Sequence, residues 1–345
     1  MSKPGSKPNH PSPAMVFCGV DVSAATLAVA VEREDRSFDE RRFANSAAGH
    51  KALIAWLGKH GSLARVSLES TGIYSMDVAL ALDRAIGIEV AVLNPKEAHR
   101  VAQSLRRSKT DKADAQALAI YSRKEDFVAW RAPTENQLKL RTLSRYIDGR
   151  TAECARDKNR LHAARGSAAT PAAILADLER SLVALKHSIA ALRREALAMV
   201  QADDVLRQRY ELLLGMPGIA KASALQLLGE LALLSPDMSV RQWVAQSGLD
   251  PVHHLSGSSV HKPSKISRAG NHHLRRILFL AALVASRHDA HMRGFYQALL
   301  GRHKAKMQAL TALARKILHA IYGVLKTGTP YEGAKLFPQL QLHTS

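Results

Sequence analysis

Cysteine is scarce in this 345-residue chain: Cys18 and Cys154 are the only two. They lie far apart and form no CxxC pair, which excludes a disulfide framework and a zinc ribbon and makes the cytosol the expected compartment. Long apolar runs are missing as well. None reaches the roughly 18 residues that span a bilayer, and the N-terminal MSKPGSKPNHPSP has no apolar centre of a signal peptide. Residues 1–14 read as a disordered tail, and no membrane is expected as a partner. No GxSxG elbow marks a serine nucleophile. The histidines His253, His254, His261, His272 and His273 match no zinc-ligand spacing and read as phosphate-facing or solvated.

Negative charge is also in short supply. Lys and Arg number 49 against 30 Asp and Glu, for a formal net charge of +19 at pH 7. The excess concentrates in residues 96–112, 139–165 and 261–276. A membrane-surface helix would set such charges opposite Trp or Phe, and these stretches have neither. Phosphate backbones are the better match. A hydrophobic content of 46% is enough to give each of two or three domains its own core.

Against this basic background four acids stand out. Asp21 interrupts the apolar run FCGVDVS, Glu69 ends RVSLE, and Asp111 and Asp114 follow Thr110 at the start of a helical stretch. A carboxylate withdrawn from water costs several kcal/mol unless it is paired or bound to metal. Four of them suggest a divalent-cation site, and hard carboxylate oxygens suit Mg²⁺ or Mn²⁺. Two such ions can relieve both obstacles to phosphodiester attack, the anionic phosphate and the poor leaving group. With Thr110 as cap, Asp111 and Asp114 share one helix face. Plainer readings stand beside this one: first-turn acids also offset the helix dipole, and Glu69 also suits a cap on the next helix.

Strand and helix signals arrange the first third as strands over Met15–Asp21, Thr26–Glu32 and Ser37–Ala44, a helix over His50–His60, a strand over Arg65–Glu69, a helix over Met76–Ile86, a strand over Glu89–Leu93 and a basic helix opened by Pro95. This order is that of an α/β ribonuclease H-like fold, with the acids on its central strands and last helix. From about Glu135 the chain turns helical and charged, with a break over 166–171. Leu175, Leu178, Leu182, Leu185, Ile189, Leu192, Ala196 and Met199 then alternate three- and four-residue steps, a coiled-coil seam expected to join subunits, with an intramolecular helical hairpin as the alternative. Gly215-Met216-Pro217-Gly218-Ile219 has the pattern of a helix-hairpin-helix, or of a tight turn between packed helices. Residues 243–270 are turn-rich and contain LSGSS. A serine beside glycine is open to close approach, although LSGSS also reads as a polar turn and Ser23 and Ser70 are equal candidates on these grounds. Helices over Asn271–Arg287 and Lys306–Lys326 complete a mainly α C-terminal part.

GVDVS (Gly19–Ser23), LESTG (Leu68–Gly72), LNPKEAHRVAQSLRRSKTDKADA (Leu93–Ala115), MPGI, SGLDPV (Ser247–Val252), LSGSS and KISRAGNHHLRRILFLAA occur in the order found in DEDD transposases of the insertion sequence 110 family, relatives of Piv-type DNA invertases, which the chain resembles from Val16 to about Pro338. The resemblance implies a RuvC-like catalytic domain over 15–130, a helical coiled-coil region over 131–210, a C-terminal transposase domain over 211–338 and a tail over 339–345. It implies that Asp21, Glu69, Asp111 and Asp114 bind Mg²⁺ or Mn²⁺ and that Ser256 is the nucleophile, forming a covalent phosphoserine link to DNA. It further implies double-stranded DNA as substrate, a bridge RNA as guide, a homo-oligomer between dimer and tetramer with composite active sites, and action on the nucleoid. Arg106, Arg107, Lys109, Lys112, Lys262, Lys265, Arg268, Arg275 and Arg276 are the expected nucleic-acid contacts. Two positions depart from the family's pattern: Ala24 stands where Lys usually follows DVS, and Ala220 stands where PGIG has its last glycine.

Overall fold

The structure, a computed structural model, describes residues 15–70, 72, 74–95, 97–100, 110–124, 127–256 and 260–337, with backbone alone for 252–256 and 260–264. The chain divides into two compact units, Met1–Ala132 and Pro133–Ser345.

The first unit is built on β1 (Met15–Val22), β2 (Thr26–Glu32), β3 (Phe38–Ala44), α1 (Ala47–Leu57), β4 (Leu63–Glu69), α2 (Met76–Asp83), β5 (Ile88–Leu93) and α3 (Asp111–Ser122). Its five strands form one mixed sheet in the order β3-β2-β1-β4-β5. The three N-terminal strands are antiparallel, and β1, β4 and β5 run parallel. Strand side chains alternate between faces, and β1 uses both. Val16, Cys18, Val20 and Val22 enter a core with Leu53, Trp56, Leu57, Val78 and Leu82 from α1 and α2. The other face, with Gly19 and Asp21, lies under α3. The helix also packs over β5, where Leu118 and Tyr121 join Ala91 and Leu93. Strand and helix limits match the sequence reading to within a few residues. Helix α1 lies three residues ahead of its expected span at both ends, and α2 ends at Asp83, short of Gly87. Gly87 has φ +81, and a Cβ there would lie 2.4 Å from the Ser62 carbonyl oxygen, so glycine serves the turn and not the helix end.

The second unit opens with two long helices, α4 (Glu135–Arg165) and α5 (Ala172–Gln201). Thr134 and Gln137 form a capping box at the start of α4. Four residues of the heptad seam, Leu182, Leu185, Ile189 and Ala196, are buried and share a core with Ile147, Cys154 and Leu161 of α4 in the same chain. The intramolecular helical hairpin of the sequence reading is thus present. Three-four spacing shows that a helix has a partner, not which chain supplies it.

There follow α6 (Asp204–Leu214), α7 (Lys221–Leu231), α8 (Val240–Ser247), the hairpin β6 (Pro251–Ser256) and β7 (Val260–Ile266), α9 (His272–His288), α10 (Ala290–Gly301), α11 (Lys306–Thr327) and α12 (Gly333–Leu336). Between α6 and α7, Gly218 has φ +82, and a Cβ on it would lie 2.4 Å from the carbonyl oxygen of Ala281 in α9. This is a tight turn between two helices, seated on a neighbouring helix.

Two buried acids hold α4, α7 and α9 together. Glu230 accepts two hydrogen bonds from Arg145, at 2.7 and 3.0 Å, and one from Asn271. Burial pushes its carboxyl up, but the bonds from Arg145 and Asn271 outweigh burial and leave it below its ordinary range. Asp148 meets His273 Nδ1 at 2.7 Å, accepts from Gln226 at 3.3 Å and pairs with Arg276. No described helix is long and apolar enough to cross a membrane.

Candidate active site

The acid cluster is assembled by two features of β1 and one of α3. In the parallel pairing of β1 with β4, Gly19 lies opposite Ser67 and Val20 opposite Leu68. Asp21 and Glu69 are the next residues along the two strands, on the face that α3 covers. Thr110 starts that helix: its hydroxyl accepts from the Ala113 amide at 3.2 Å, and its carbonyl accepts from the Asp114 amide at 2.9 Å. Asp111 and Asp114 thus occupy the first turn, three residues apart.

Gly19 lets the helix approach. A Cβ at this position would lie 2.0 Å from the Ala115 carbonyl oxygen and 2.3 Å from the Ala119 amide nitrogen. At the far end of α3, the buried Ser122 hydroxyl lies 2.7 Å from both the Cys18 carbonyl oxygen and the Ser67 hydroxyl. The helix is therefore fixed at both ends over the strands that carry Asp21 and Glu69. Gly19 appears in the sequence only as part of GVDVS, and Ser67 and Ser122 carry no recognisable signal at all, because a buried serine gains its partner only when strand and helix meet. We expect Gly19→Ala to destabilise the N-terminal unit by about 1–3 kcal/mol, the usual cost of overpacking, and to lower DNA cleavage with it. A urea midpoint equal to that of the unaltered chain would mean that α3 does not lean on Gly19.

Electrostatics shows that the acids sense one another. The Asp21 carboxyl is pushed up from its ordinary 3.8 to about 6, first by burial and then by the negative charges of Asp111, Asp114 and Glu69. Arg42 stands 3.4 Å from Asp111. Both partners are mostly exposed, and such a pair offsets little. Lys112 is turned to Glu40. Carboxylate donors around an acid with a raised pKa suit a hard divalent cation. Among the described residues no three His, Cys, Asp or Glu are gathered closely enough to hold a metal ion.

The other expected residues lie elsewhere. Ser256 is the last residue of β6, paired with Val260 across the hairpin, and Lys262 pairs with His254. Arg106, Arg107 and Lys109 fall outside the described residues. Arg275 donates to the Ser247 carbonyl at 2.8 Å and Arg276 pairs with Asp148, so both serve the fold directly. Lys265 and Arg268 are exposed.

A mixed sheet in this order, with acids at the ends of two central strands and on the helix across them, defines a ribonuclease H-like domain of the kind that acts on nucleic acids. Comparison with known proteins narrows the class. A family model described as a transposase, the DEDD type of IS110, matches residues 18–164, and one described as a transposase of the IS116/IS110/IS902 family matches residues 210–297. Together they cover more than half of the chain, which belongs to the IS110 family of transposases, enzymes that cut and rejoin DNA. The chain is similar to the pilin gene-inverting protein of Moraxella bovis, with 28% identity over 92% of this chain and 97% of the relative. It also resembles an uncharacterized 43.6 kDa protein of insertion element IS110 from Streptomyces coelicolor, 29% identical over 46% of this chain and 38% of that one.

Proposed function

We propose that the chain is a divalent-metal-dependent DNA recombinase in which Asp21, Glu69, Asp111 and Asp114 hold Mg²⁺ or Mn²⁺ and Ser256 is the nucleophile. The observation that carries this reading is the gathering of three acids around the half-buried Asp21 in a chain of net charge +19. The bound ions would polarise the scissile phosphate and stabilise the departing oxygen. The Ser256 hydroxyl attacks phosphorus and gives up its proton; a P–Oγ bond forms, one backbone P–O bond breaks, and the departing sugar oxygen takes up a proton. The phosphoserine link keeps the bond energy, and attack by a second strand's hydroxyl on that link releases Ser256 and rejoins the DNA.

Carboxylates and serine belong to different compact units, and in this reading the site is completed by another subunit of a dimer or tetramer. A bridge RNA pairing with element ends and target is the guide in this reading, and the net charge of +19 is compatible with both nucleic acids. The near-full-length match to the pilin gene-inverting protein favours a second reading at the same level, inversion of a segment without a guide RNA.

The test is incubation of the full chain with element-end DNA and Mg²⁺, followed by denaturing electrophoresis. Protein-linked DNA ends are expected. Cut ends free of protein would replace the serine mechanism with hydrolysis by water. Intact DNA in every metal tried, with or without RNA transcribed from the flanks of the coding region, would count against the enzyme reading.

A further inference from the structure

The second unit holds a cleft of about 780 Å³ at the base of the β6–β7 hairpin, between α9 and α11. Its rim carries Lys265, Arg268, Lys304 and Arg315, and no Asp or Glu lines it. None of these four cations pairs with a carboxylate among the described residues. Apolar residues also line it, among them Phe279 and Met307. Met307 is 62% exposed, an open apolar surface among like charges.

Arg268 adds an independent sign. It sits at φ +54, a left-handed conformation that is unfavourable for a non-glycine residue and persists where the surroundings enforce it. Here its amide donates to the Gly248 carbonyl at 3.2 Å, and Ser267 is tied to Asp250. The backbone is thus held so that a strained arginine stands at the cleft. The neighbouring Arg275 and Arg276 are spent on Ser247 and Asp148, so the charge left for a ligand is that of the four rim residues.

Cations without counter-charge beside apolar residues suit a ligand that is anionic and aromatic at once. We propose that this cleft binds one unpaired nucleotide of a single strand, with phosphates on the rim and the base against Phe279. A duplex offers phosphates but keeps its base faces stacked, whereas an unpaired base has a face to give. From the cleft, the hairpin leads through five residues to Ser256, a distance of roughly 17 Å at strand rise. A nucleotide held here would set the register of the strand running toward the serine. This proposal rests on the reading of the chain as a nucleic-acid enzyme.

The experiment measures binding of the full chain to short oligothymidylate, oligouridylate, an abasic oligonucleotide of equal length and an element-end duplex, each across a range of salt. Wild type is expected to favour base-bearing over abasic strands by about tenfold, within the range of one stacked base. Phe279→Leu, which keeps apolar volume, is expected to remove that preference and leave the salt slope intact. Lys304→Gln with Arg315→Gln is expected to lower the slope of log K on log salt by about 0.7 for each cation and keep the preference. Tighter oligouridylate assigns the occupant to RNA and tighter oligothymidylate to a melted DNA strand; either supports the cleft. If Phe279→Leu keeps the preference, or the double variant keeps the slope, the proposal is overturned, while duplex binding still upholds the enzyme reading. Failure of wild type to bind any of the four would overturn both.

Discussion

Asp21→Asn is expected to lower Mg²⁺-dependent DNA cleavage about a thousandfold while making the metal-free chain more stable. The two effects share one cause. Asp21 is held above its ordinary pKa by burial and by Asp111, Asp114 and Glu69, so its charged form is disfavoured in the folded state. An acid whose folded pKa is raised costs nothing below about pH 3.8, where it is protonated both folded and unfolded. Its destabilisation grows as pH rises from 3.8 to about 6 and is complete above that. Two units at 1.36 kcal/mol each would give about 3 kcal/mol, and the partial exposure of Asp21 reduces this to roughly 1–2 kcal/mol. The asparagine removes that cost, flattening the decline in stability between pH 4 and 6. Removing a metal ligand forfeits several kcal/mol of transition-state charge stabilisation, and about 4 kcal/mol is a factor of ~10³ in rate. Thermal melts in Mn²⁺ separate this from a folding defect. Wild type is expected to gain about 2.7 kcal/mol at a cation concentration a hundred times Kd, and the variant far less. Equal cation stabilisation of both chains would remove Asp21 from the metal site.

Parts of the acid cluster could be read in advance. Asp21 was legible because aspartate is disfavoured in a strand as apolar as FCGVDVS, and the ladder then places it beside Glu69. Asp111 and Asp114 were legible through Thr110, which caps α3 as its sequence suggests. What could not be read is how close α3 comes, which depends on Gly19 and on Ser122 meeting Ser67 across 55 positions. The C-terminal unit was less legible. Its helices announced themselves by periodicity, but the β6–β7 hairpin lies in a stretch whose turn residues hid the strands. The seam of α5 was legible as a seam, whereas its packing on α4 was less so, because α4 offers an apolar face that is sparse in sequence: Leu140, Ile147, Cys154 and Leu161 recur every seven residues amid charge. The buried acids Asp148 and Glu230 gave no local sign, since their partners come from three helices.

Ser256→Ala is expected to abolish the covalent protein–DNA adduct and to reduce strand cleavage ~10³-fold or more, with DNA binding unchanged. Loss of one hydroxyl from the end of β6 leaves the hairpin's backbone pairing intact, so a fall in stability is not expected and would itself argue for a structural role. The stronger use of the variant is in combination. Asp21→Asn damages only the Met1–Ala132 unit and Ser256→Ala only the Pro133–Ser345 unit. If each active site joins the acids of one subunit to the serine of another, a mixed oligomer contains a site with both defects and a site with neither. Mixing the two inactive chains is then expected to restore adduct formation. If acids and serine of the same chain work together, every site in the mixture carries a defect and no adduct returns. Recovery supports a composite site that the subunits must meet to build, and its absence confines the chemistry to a single chain.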